Sequence, residues 1–384
     1  MTADHCGDTI RMCSNPLFST VSGTAGFSAA AGNPTSGFTR SEAEKVRIFH
    51  RTLEEYDETP LVSLYGCSRI LGVRGIYVKD ESRRFGLNAF KVLGSSYAIG
   101  SMTDALPENP VFITATDGNH GRGVAWAAAR LGCKSVVYMP AGTAMERLDN
   151  ILALGSDASI TDLSYDDAVR KAKADAEKNG WVLVQDTSWP GYEEIPRLIM
   201  QGYMTMALEA VEQLGGVVPT HVFLQAGVGS MAGAAAAFLA DYYGERKPVI
   251  TIVEPHSADC IFRTAAAGDG KLHFAEGEMH TIMAGLACGE PCGLGWELMS
   301  KYAEFFSTIS DGVATEGMRL LHRCGITSGE SGASAFGLAS ALLRNPEYSA
   351  VKEAIGLNPE SVILCFSTEG ATDRVNYDRI VGNS

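Results

Sequence analysis

Short apolar runs alternate with amphipathic or alanine-rich segments along most of this chain. Most of the runs are apolar at successive positions, which is typical of strands covered by helices on both faces. They predict strands over 75–79, 111–115, 135–139, 159–161, 181–184, 221–225, 249–254 and 361–366. The intervening segments predict helices over 124–131, 146–154 and 165–179, the last ended by Gly180, and a further helix from Ala232.

Strands that alternate with helices predict an α/β fold with two open parallel sheets. After residue 40 no proline- or serine-rich linker divides the chain, so we expect two interwoven domains. The larger would combine residues 41–92 and 206–384, and the smaller would span residues 93–205. Residues 1–40 are rich in Ser, Gly, Thr and Ala and predict a flexible tail.

Composition narrows the class of partner. The formal charge of −14 over 384 residues argues against nucleic acid as a partner. The chain has no apolar run long enough for a membrane span, and residues 1–5 lack the features of a signal peptide, so we expect a cytoplasmic protein. The nine cysteines form no CxxC pair. We expect reduced thiols and no metal site, since no His/Cys cluster accompanies Cys288 and Cys292.

A glycine-rich segment, AGVGSMAG over 226–233, follows a predicted strand and opens a predicted helix. Gly227 and Gly229 allow the backbone to approach an anion closely, and free amides at a helix start favour a phosphate. The segment is not a P-loop. Its G-x-G-x-x-x-G spacing is one residue too long for the dinucleotide pattern. A tight turn that only packs on itself is the alternative.

Two further segments carry candidate chemistry. Lys91 lies in FGLNAFKVLG, where burial would lower the pKa of its amine and make it available for a Schiff base. Taken alone, a lysine such as Lys91 is far more often a solvated surface charge, and only the surrounding motifs favour the Schiff base. The segment TDGNHGRG over 116–123 follows another strand and combines an anion-binding loop with Asp117 and Asn119. A helix cap would explain either of these two residues but not the whole cluster.

Together with these motifs, the stretches KDESRRFGLNAFKVLG, QDTSWPGYEEIP, IMAGLACGEP, SGESGA and STEGATD resemble fold-type II pyridoxal-5′-phosphate (PLP) enzymes, the group of tryptophan synthase β and the serine/threonine dehydratases. Within that group the chain is similar to the diaminopropionate ammonia-lyases. The resemblance runs from about residue 60 to 375. Dehydratases usually carry Ser-Phe-Lys at the lysine and a serine at the start of the Asn-His loop, whereas this chain has Ala89-Phe90-Lys91 and Asp117.

The resemblance implies a role for each motif residue. Lys91 would bind PLP as a Schiff base, Asn119 would hydrogen-bond its phenolic oxygen, and Ser367 or Thr368 would face its pyridine nitrogen. Backbone amides would hold its phosphate, those of Gly227, Val228, Gly229, Ser230 and Met231. The resemblance also implies a homodimer.

The substrate implied is the small diamino acid 2,3-diaminopropionate, whose positive charge invites carboxylates. Lys91 would remove the α-proton of the L-isomer and Asp117 that of the D-isomer. Asp186, after the strand at 181–184, would recognise the β-ammonium or supply a proton. The substrate pocket would also include Gly118, His120 and Glu330, although His120 could merely pack and Glu330 could make a structural hydrogen bond.

Three other functions remain open at this point. A serine/threonine dehydratase or D-serine deaminase of the same fold would expel hydroxide instead of ammonia. A regulatory protein without activity would not need Lys91. An NAD-dependent oxidoreductase would need the 227–233 loop to bind a dinucleotide.

Overall fold

Eleven strands form two sheets in the computed structural model, which describes residues 9–18 and 36–382. In chain order the strands are β1 Ile10–Ser14, β2 Leu61–Ser63, β3 Gly75–Asp80, β4 Val111–Ala115, β5 Lys134–Met139, β6 Asp157–Ile160, β7 Val182–Leu183, β8 His221–Gln225, β9 Val249–Pro255, β10 Phe305–Ile309 and β11 Val362–Ser367. The larger sheet has the order β1-β10-β9-β8-β11-β3-β2, and the smaller has the order β6-β5-β4-β7.

The pairing is parallel throughout the smaller sheet and through the interior of the larger one. Only the two edge strands of the larger sheet, β1 and β2, pair antiparallel. Strands such as β8, in which every residue is buried, are covered on both faces, as the continuous apolar runs indicated. The predicted α/β class with open parallel sheets is confirmed, apart from these antiparallel edges.

Helices pack on both sheets. They are α1 Arg40–His50, α2 Tyr65–Leu71, α3 Lys91–Ser101, α4 Asn119–Arg130, α5 Met145–Leu152, α6 Tyr165–Asn179, α7 Glu194–Gln213, α8 Ser230–Tyr243, α9 Cys260–Ala267, α10 Gly293–Tyr302, α11 Asp311–Arg323, α12 Glu330–Arg344, α13 Ser349–Ala354 and α14 Arg374–Val381. Helix α6 has the predicted bounds. Its first turn is capped by Ser164, and it ends at Gly180 with φ of 68°. None of the helices in the described ranges is long and apolar enough to cross a bilayer.

The chain passes between the two sheets twice. It leaves the larger sheet after β3, builds the smaller sheet from β4 to β7, and returns to the larger sheet at β8. The sheets are therefore interwoven along the sequence. The domain bounds at residues 92/93 and 205/206 stay a prediction.

Strand β1 corrects the prediction of a flexible tail over residues 1–40. Residues 10–14 pair antiparallel with β10, and the side chains of Ile10 and Cys13 are buried. This strand was missed because its apolar residues are interrupted by Arg11 and its partner lies almost 300 residues away. Residues 1–8 and 19–35, the rest of the predicted tail up to residue 35, lie outside the described residues.

Helix α8, which follows β8, packs closely against α10. A Cβ atom at Gly233 would lie 2.7 Å from the carbonyl oxygen of Gly295, so α8 and α10 touch backbone to backbone. This packing fixes the start of α8 relative to the ends of β4, β7 and β11, where α/β proteins assemble their binding sites.

Candidate active site

A cavity opens at the carboxyl ends of β4, β7, β8 and β11. Segments that follow each of these strands line it, as do the start of α3 and the 284–288 turn. Among the predicted site residues, those on the cavity wall are Lys91, Asp117, Asn119, His120, Asp186, Gly227, Val228, Gly229, Ser230, Met231 and Thr368. Three others, Gly118, Glu330 and Ser367, do not line it.

The glycine-rich loop between β8 and α8 forms one wall. Gly229 has φ of 95°, and a Cβ atom there would lie 2.5 Å from Cε of Met299. A Cβ at Gly227 would lie 2.9 Å from the carbonyl oxygen of Gly285. Within the described part of the chain, the amides of Gly227, Val228 and Gly229 donate to no acceptor. These amides and the first turn of α8 suit a phosphate group.

Lys91 begins α3 and reaches the same cavity. Its Nζ donates a hydrogen bond to Oδ2 of Asp186 and lies 5.8 Å from the ring centroid of Tyr203. Burial opposes the charged amine, but the negative charge of Asp186 outweighs it and raises the pKa of Lys91 above its ordinary value. Burial thus acts in the predicted direction, but the sequence did not reveal the carboxylate of Asp186, 95 residues away, and its effect makes the net change in the pKa an increase.

Asp186 is a nearly enclosed carboxylate of the cavity, with a side chain that is 4% exposed. Its Oδ1 accepts hydrogen bonds of 3.4 Å from the Tyr165 hydroxyl and from Nε2 of Gln185. Burial alone would raise its pKa, but the positive charge of Lys91 and the hydrogen bond from Nζ outweigh burial and lower the pKa to about 2. Asp186 is thus a stable anion beside Lys91.

His120 lies behind Asp186. Its Nε2 donates to the carbonyl oxygen of Val184 at 2.7 Å, and its Nδ1 is 3.9 Å from Oδ2 of Asp186. Burial lowers the pKa of this imidazole. The ring is therefore held neutral, with its proton on Nε2 and a lone pair on Nδ1.

The loop between β4 and α4 presents Asp117 and Asn119. Asp117 Oδ2 accepts a 2.9 Å hydrogen bond from Nη1 of Arg147. Asn119 donates through Nδ2 to Oε2 of Glu369 at 2.5 Å. Because an amide nitrogen carries two hydrogens, Asn119 retains one donor for a further acceptor.

The segment after β11 separates the two candidate hydroxyls. Thr368 lines the cavity and accepts a 2.9 Å hydrogen bond at Oγ1 from Nε2 of Gln225. Ser367 is buried and donates to Oγ of Ser328 at 2.7 Å. Of the two, Thr368 is placed to meet a ligand in the cavity.

Glu330 lies at the start of α12, away from the cavity wall, and accepts a hydrogen bond from Nδ2 of Asn376. Burial, with a further contribution from the charge of Glu369, raises the pKa of Glu330 to about 7. The contact fits the structural alternative for this residue better than substrate contact.

Several cavity residues were missed by sequence reasoning, namely Tyr165, Gln225, Cys288, Ser331 and Glu369. Gln225 adjoins the AGVGSMAG segment, and Cys288, Ser331 and Glu369 lie within IMAGLACGEP, SGESGA and STEGATD, so their place in those stretches was the signal available. Tyr165 lies on a helix without any distinguishing pattern. In the described ranges no group of three His, Cys, Asp or Glu side chains converges to hold a metal ion, and the eight described cysteines are free, Cys260 and Cys288 included.

The residues that line the cavity fit PLP. The free amides of the glycine-rich loop suit its phosphate, Asn119 has an unused donor for its phenolic oxygen, and Thr368 offers a neutral hydroxyl for its ring nitrogen. Lys91 Nζ shares the cavity with all three groups.

Comparisons with known proteins agree with that fit. Residues 52–356 match the family model described as pyridoxal-phosphate dependent enzyme. The diaminopropionate ammonia-lyase of Escherichia coli K12 is 46% identical over 374 residues, which cover 91% of this chain and 94% of that protein. The crystal structure of the Escherichia coli enzyme with an aminoacrylate-PLP azomethine reaction intermediate matches with a TM-score of 0.88 and 44% identity over 97% of each chain. Its complex with D-serine matches with a TM-score of 0.88 and 43% identity, also over 97% of each chain.

Proposed function

The chain belongs to the pyridoxal-phosphate dependent enzymes and, within them, to the diaminopropionate ammonia-lyases, and from that premise we propose that it eliminates ammonia from both isomers of 2,3-diaminopropionate. The products are pyruvate and two ammonia molecules. The released enamine hydrolyses to pyruvate and the second ammonia in water.

One observation carries the choice of substrate. Three carboxylates, those of Asp117, Asp186 and Glu369, line the same cavity as Lys91, and Glu369 accepts a hydrogen bond from Asn119. The β-amino group of a diamino acid is a cation, and a carboxylate stabilises its charge. A hydroxy amino acid of the dehydratase kind has no β-amino group and would leave Asp186 without that use.

PLP, when bound, acts as an electron sink for the electrons left by the α-proton. Lys91 holds the cofactor and its Nζ takes the α-proton of the L-isomer. Asp117 takes the α-proton of the D-isomer from the other face. These roles need two bases in one cavity, with Nζ acting as a neutral amine, and the presence of Lys91 and Asp117 in its lining supports the proposal.

The residues next to these two bases orient the substrate and supply protons to it. Asp186 binds the β-ammonium and keeps Lys91 Nζ in place through their hydrogen bond. His120 keeps its proposed part in the substrate pocket, because it lines the cavity. Gly118 and Glu330 act only indirectly: Gly118 adjoins Asp117, and Glu330 is close enough to Glu369 to feel its charge. Thr368 is a hydroxyl, not a carboxylate, so it leaves the pyridine nitrogen largely unprotonated, which favours elimination over transamination.

We further propose that the enzyme is a cytoplasmic homodimer. Helix α2 exposes Tyr65 and Ile70, which are 69% and 86% accessible, and so offers an apolar surface to a second copy. The free state of the described cysteines suits a reducing compartment. Light scattering of the purified enzyme gives the oligomeric state, and a monomer at micromolar concentration would refute the dimer.

The reaction is tested by incubating the purified holoenzyme with D- and L-2,3-diaminopropionate and with D- and L-serine, and measuring pyruvate. We expect both diaminopropionate isomers to be converted and serine to be slower. Faster conversion of serine would move the chain to the dehydratases and withdraw the roles of Asp117 and Asp186. A protein that holds PLP but converts none of the four would support the inactive regulatory alternative, and binding of NAD in place of PLP would support the oxidoreductase.

A further inference from the structure

Arg147 is a buried arginine directly behind Asp117. It lies on α5, its side chain is 6% exposed, and it does not line the cavity. Its Nη1 donates to Oδ2 of Asp117 at 2.9 Å and to the backbone oxygen of Asp117 at 3.4 Å. One nitrogen therefore fixes the side chain of Asp117 relative to its own backbone.

The stem of Arg147 also shapes the loop. Gly118 has φ of 147°, and a Cβ atom there would lie 3.1 Å from Cδ and 3.2 Å from Cβ of Arg147. Gly285 lies beside Asp117, since a Cβ atom at Gly285 would be 3.4 Å from Oδ2. The Oδ2 atom is thus bound by Arg147 next to the 284–286 turn.

The second oxygen of Asp117 has no such partner. Among the residues that the structure describes, Oδ1 accepts no hydrogen bond, although Asp117 lines the cavity. A carboxylate with one oxygen fixed and the other unengaged is oriented to accept a proton in a single direction.

The charges around Arg147 also favour its hydrogen bond to Asp117. Burial opposes the guanidinium charge, but the carboxylates of Asp117, Glu369, Glu330 and Asp373 outweigh it and raise the pKa of Arg147. Arg147 therefore remains a cation. It offsets the repulsion that Asp117 would otherwise meet from Glu330 and Glu369.

We propose that Arg147 is a positioning residue for one stereoisomer: it holds Asp117 by Oδ2 so that Oδ1 takes the α-proton of D-2,3-diaminopropionate. In that step the α-carbon–hydrogen bond breaks, its electron pair stays with the carbon, and the proton passes to Oδ1. The inference rests on the proposed function, in which Lys91 serves the L-isomer. Arg147 makes no hydrogen bond to Lys91 in the described structure, so turnover of the L-isomer does not depend on it.

The experiment compares Arg147→Met and Arg147→Gln with a control, Arg130→Met, which removes an exposed arginine paired with Glu55. For each holoenzyme, kcat and KM are measured with both isomers, and the visible spectrum reports cofactor binding. We expect the D-to-L ratio of kcat to fall about 10- to 100-fold in both Arg147 variants, since misplacing a base by about 1 Å has an effect of that order. The control should keep the wild-type ratio.

Two further readouts separate positioning from a general structural role. With α-deuterated substrates, the isotope effect should rise for the D-isomer alone, because removal of that α-proton becomes slower. Adding Arg147→Met to Asp117→Asn should lower D-isomer turnover no further than Asp117→Asn alone. If Arg147→Met does not fold, the D-to-L ratio of kcat is measured in Arg147→Gln instead.

Equal losses for the two isomers, or an unchanged ratio in a folded variant, would overturn the inference while leaving the proposed function intact. A wild-type enzyme that converts neither isomer would instead overturn the proposed function.

Discussion

Replacing Arg84 by methionine should remove the centre of a buried ion network just before Lys91. The Arg84 side chain is fully buried and donates to Glu81 at 2.7 and 2.9 Å and to Glu209 at 2.9 and 2.6 Å. Lys79 Nζ lies 2.7 Å from Oε2 of Glu209. Two cations thus face two carboxylates, and the network is neutral.

The network connects α7, which carries Glu209, to the loop that leads into α3. That loop contains two non-glycine residues in the left-handed region, Phe85 with φ of 52° and Asn88 with φ of 58°. Such conformations persist only where surrounding contacts impose them. Loss of Arg84 should therefore disturb Lys91 as well as the stability of the fold.

The size of the stability loss follows from the burial of the ion network. Arg84→Met leaves two buried carboxylates to share Lys79, and removing one partner of a buried ion pair costs about 3–5 kcal/mol. Arg51→Met is the matched control, because Arg51 and Glu58 are 52% and 38% exposed. For such a surface pair we expect a loss of no more than about 1 kcal/mol.

The assay is urea denaturation of both variants and the wild type, followed by far-ultraviolet circular dichroism at pH 7. A loss for Arg84→Met no greater than that for Arg51→Met would refute the argument, because the network would then not contribute through its burial. PLP titration of each variant would show whether the loop before Lys91 has moved.

The other predictions concern the bases and the response to acid. Lys91→Ala should abolish the visible absorbance of bound cofactor, whereas Lys173→Ala should keep it; an unchanged spectrum in Lys91→Ala would exclude Lys91 as the Schiff-base residue. Asp117→Asn should lower D-isomer turnover by about 10²- to 10⁴-fold, the usual effect of losing a general base, and spare the L-isomer; equal losses would show a role shared by both isomers. Burial opposes ionisation of Glu209, but Arg84 and Lys79 lower its pKa from 4.5 to about 2. Its stabilising contribution is therefore present above pH 4.5 and is lost as the pH falls towards about 2, and Glu209→Gln should show a smaller loss of stability over that range in urea denaturation.

Much of the fold follows from local pattern. Strands β4 and β8 and helix α6 have the predicted bounds, because buried parallel strands are continuous apolar runs and α6 carries its own cap and terminal glycine. Strands β1 and β2 at the edges and β10 inside the larger sheet were not predicted. They are short and only partly apolar, and the pairing that makes them strands is supplied by residues distant in sequence.

The residues of the candidate site, like the strands, were predicted only in part. Lys91, Asp117, Asn119 and the 227–231 loop were found because unusual residue types recur beside strand ends. Arg147 was missed, since a single arginine on a helix has no pattern that distinguishes it from a surface charge. Its position behind Asp117 depends on how α5 packs against the loop after β4.

By itself, the sequence determined the α/β class, the positions of most strands along the chain and the set of motifs that a PLP enzyme needs. These depend on residue type and on neighbours a few positions away, which a linear pattern records. Only the tertiary structure decided the charge on Lys91, the choice of Thr368 over Ser367, and the separation of Glu330 from the cavity. Each of these depends on distances of a few ångströms between residues far apart in the chain, and electrostatic and hydrogen-bond energies change steeply over such distances.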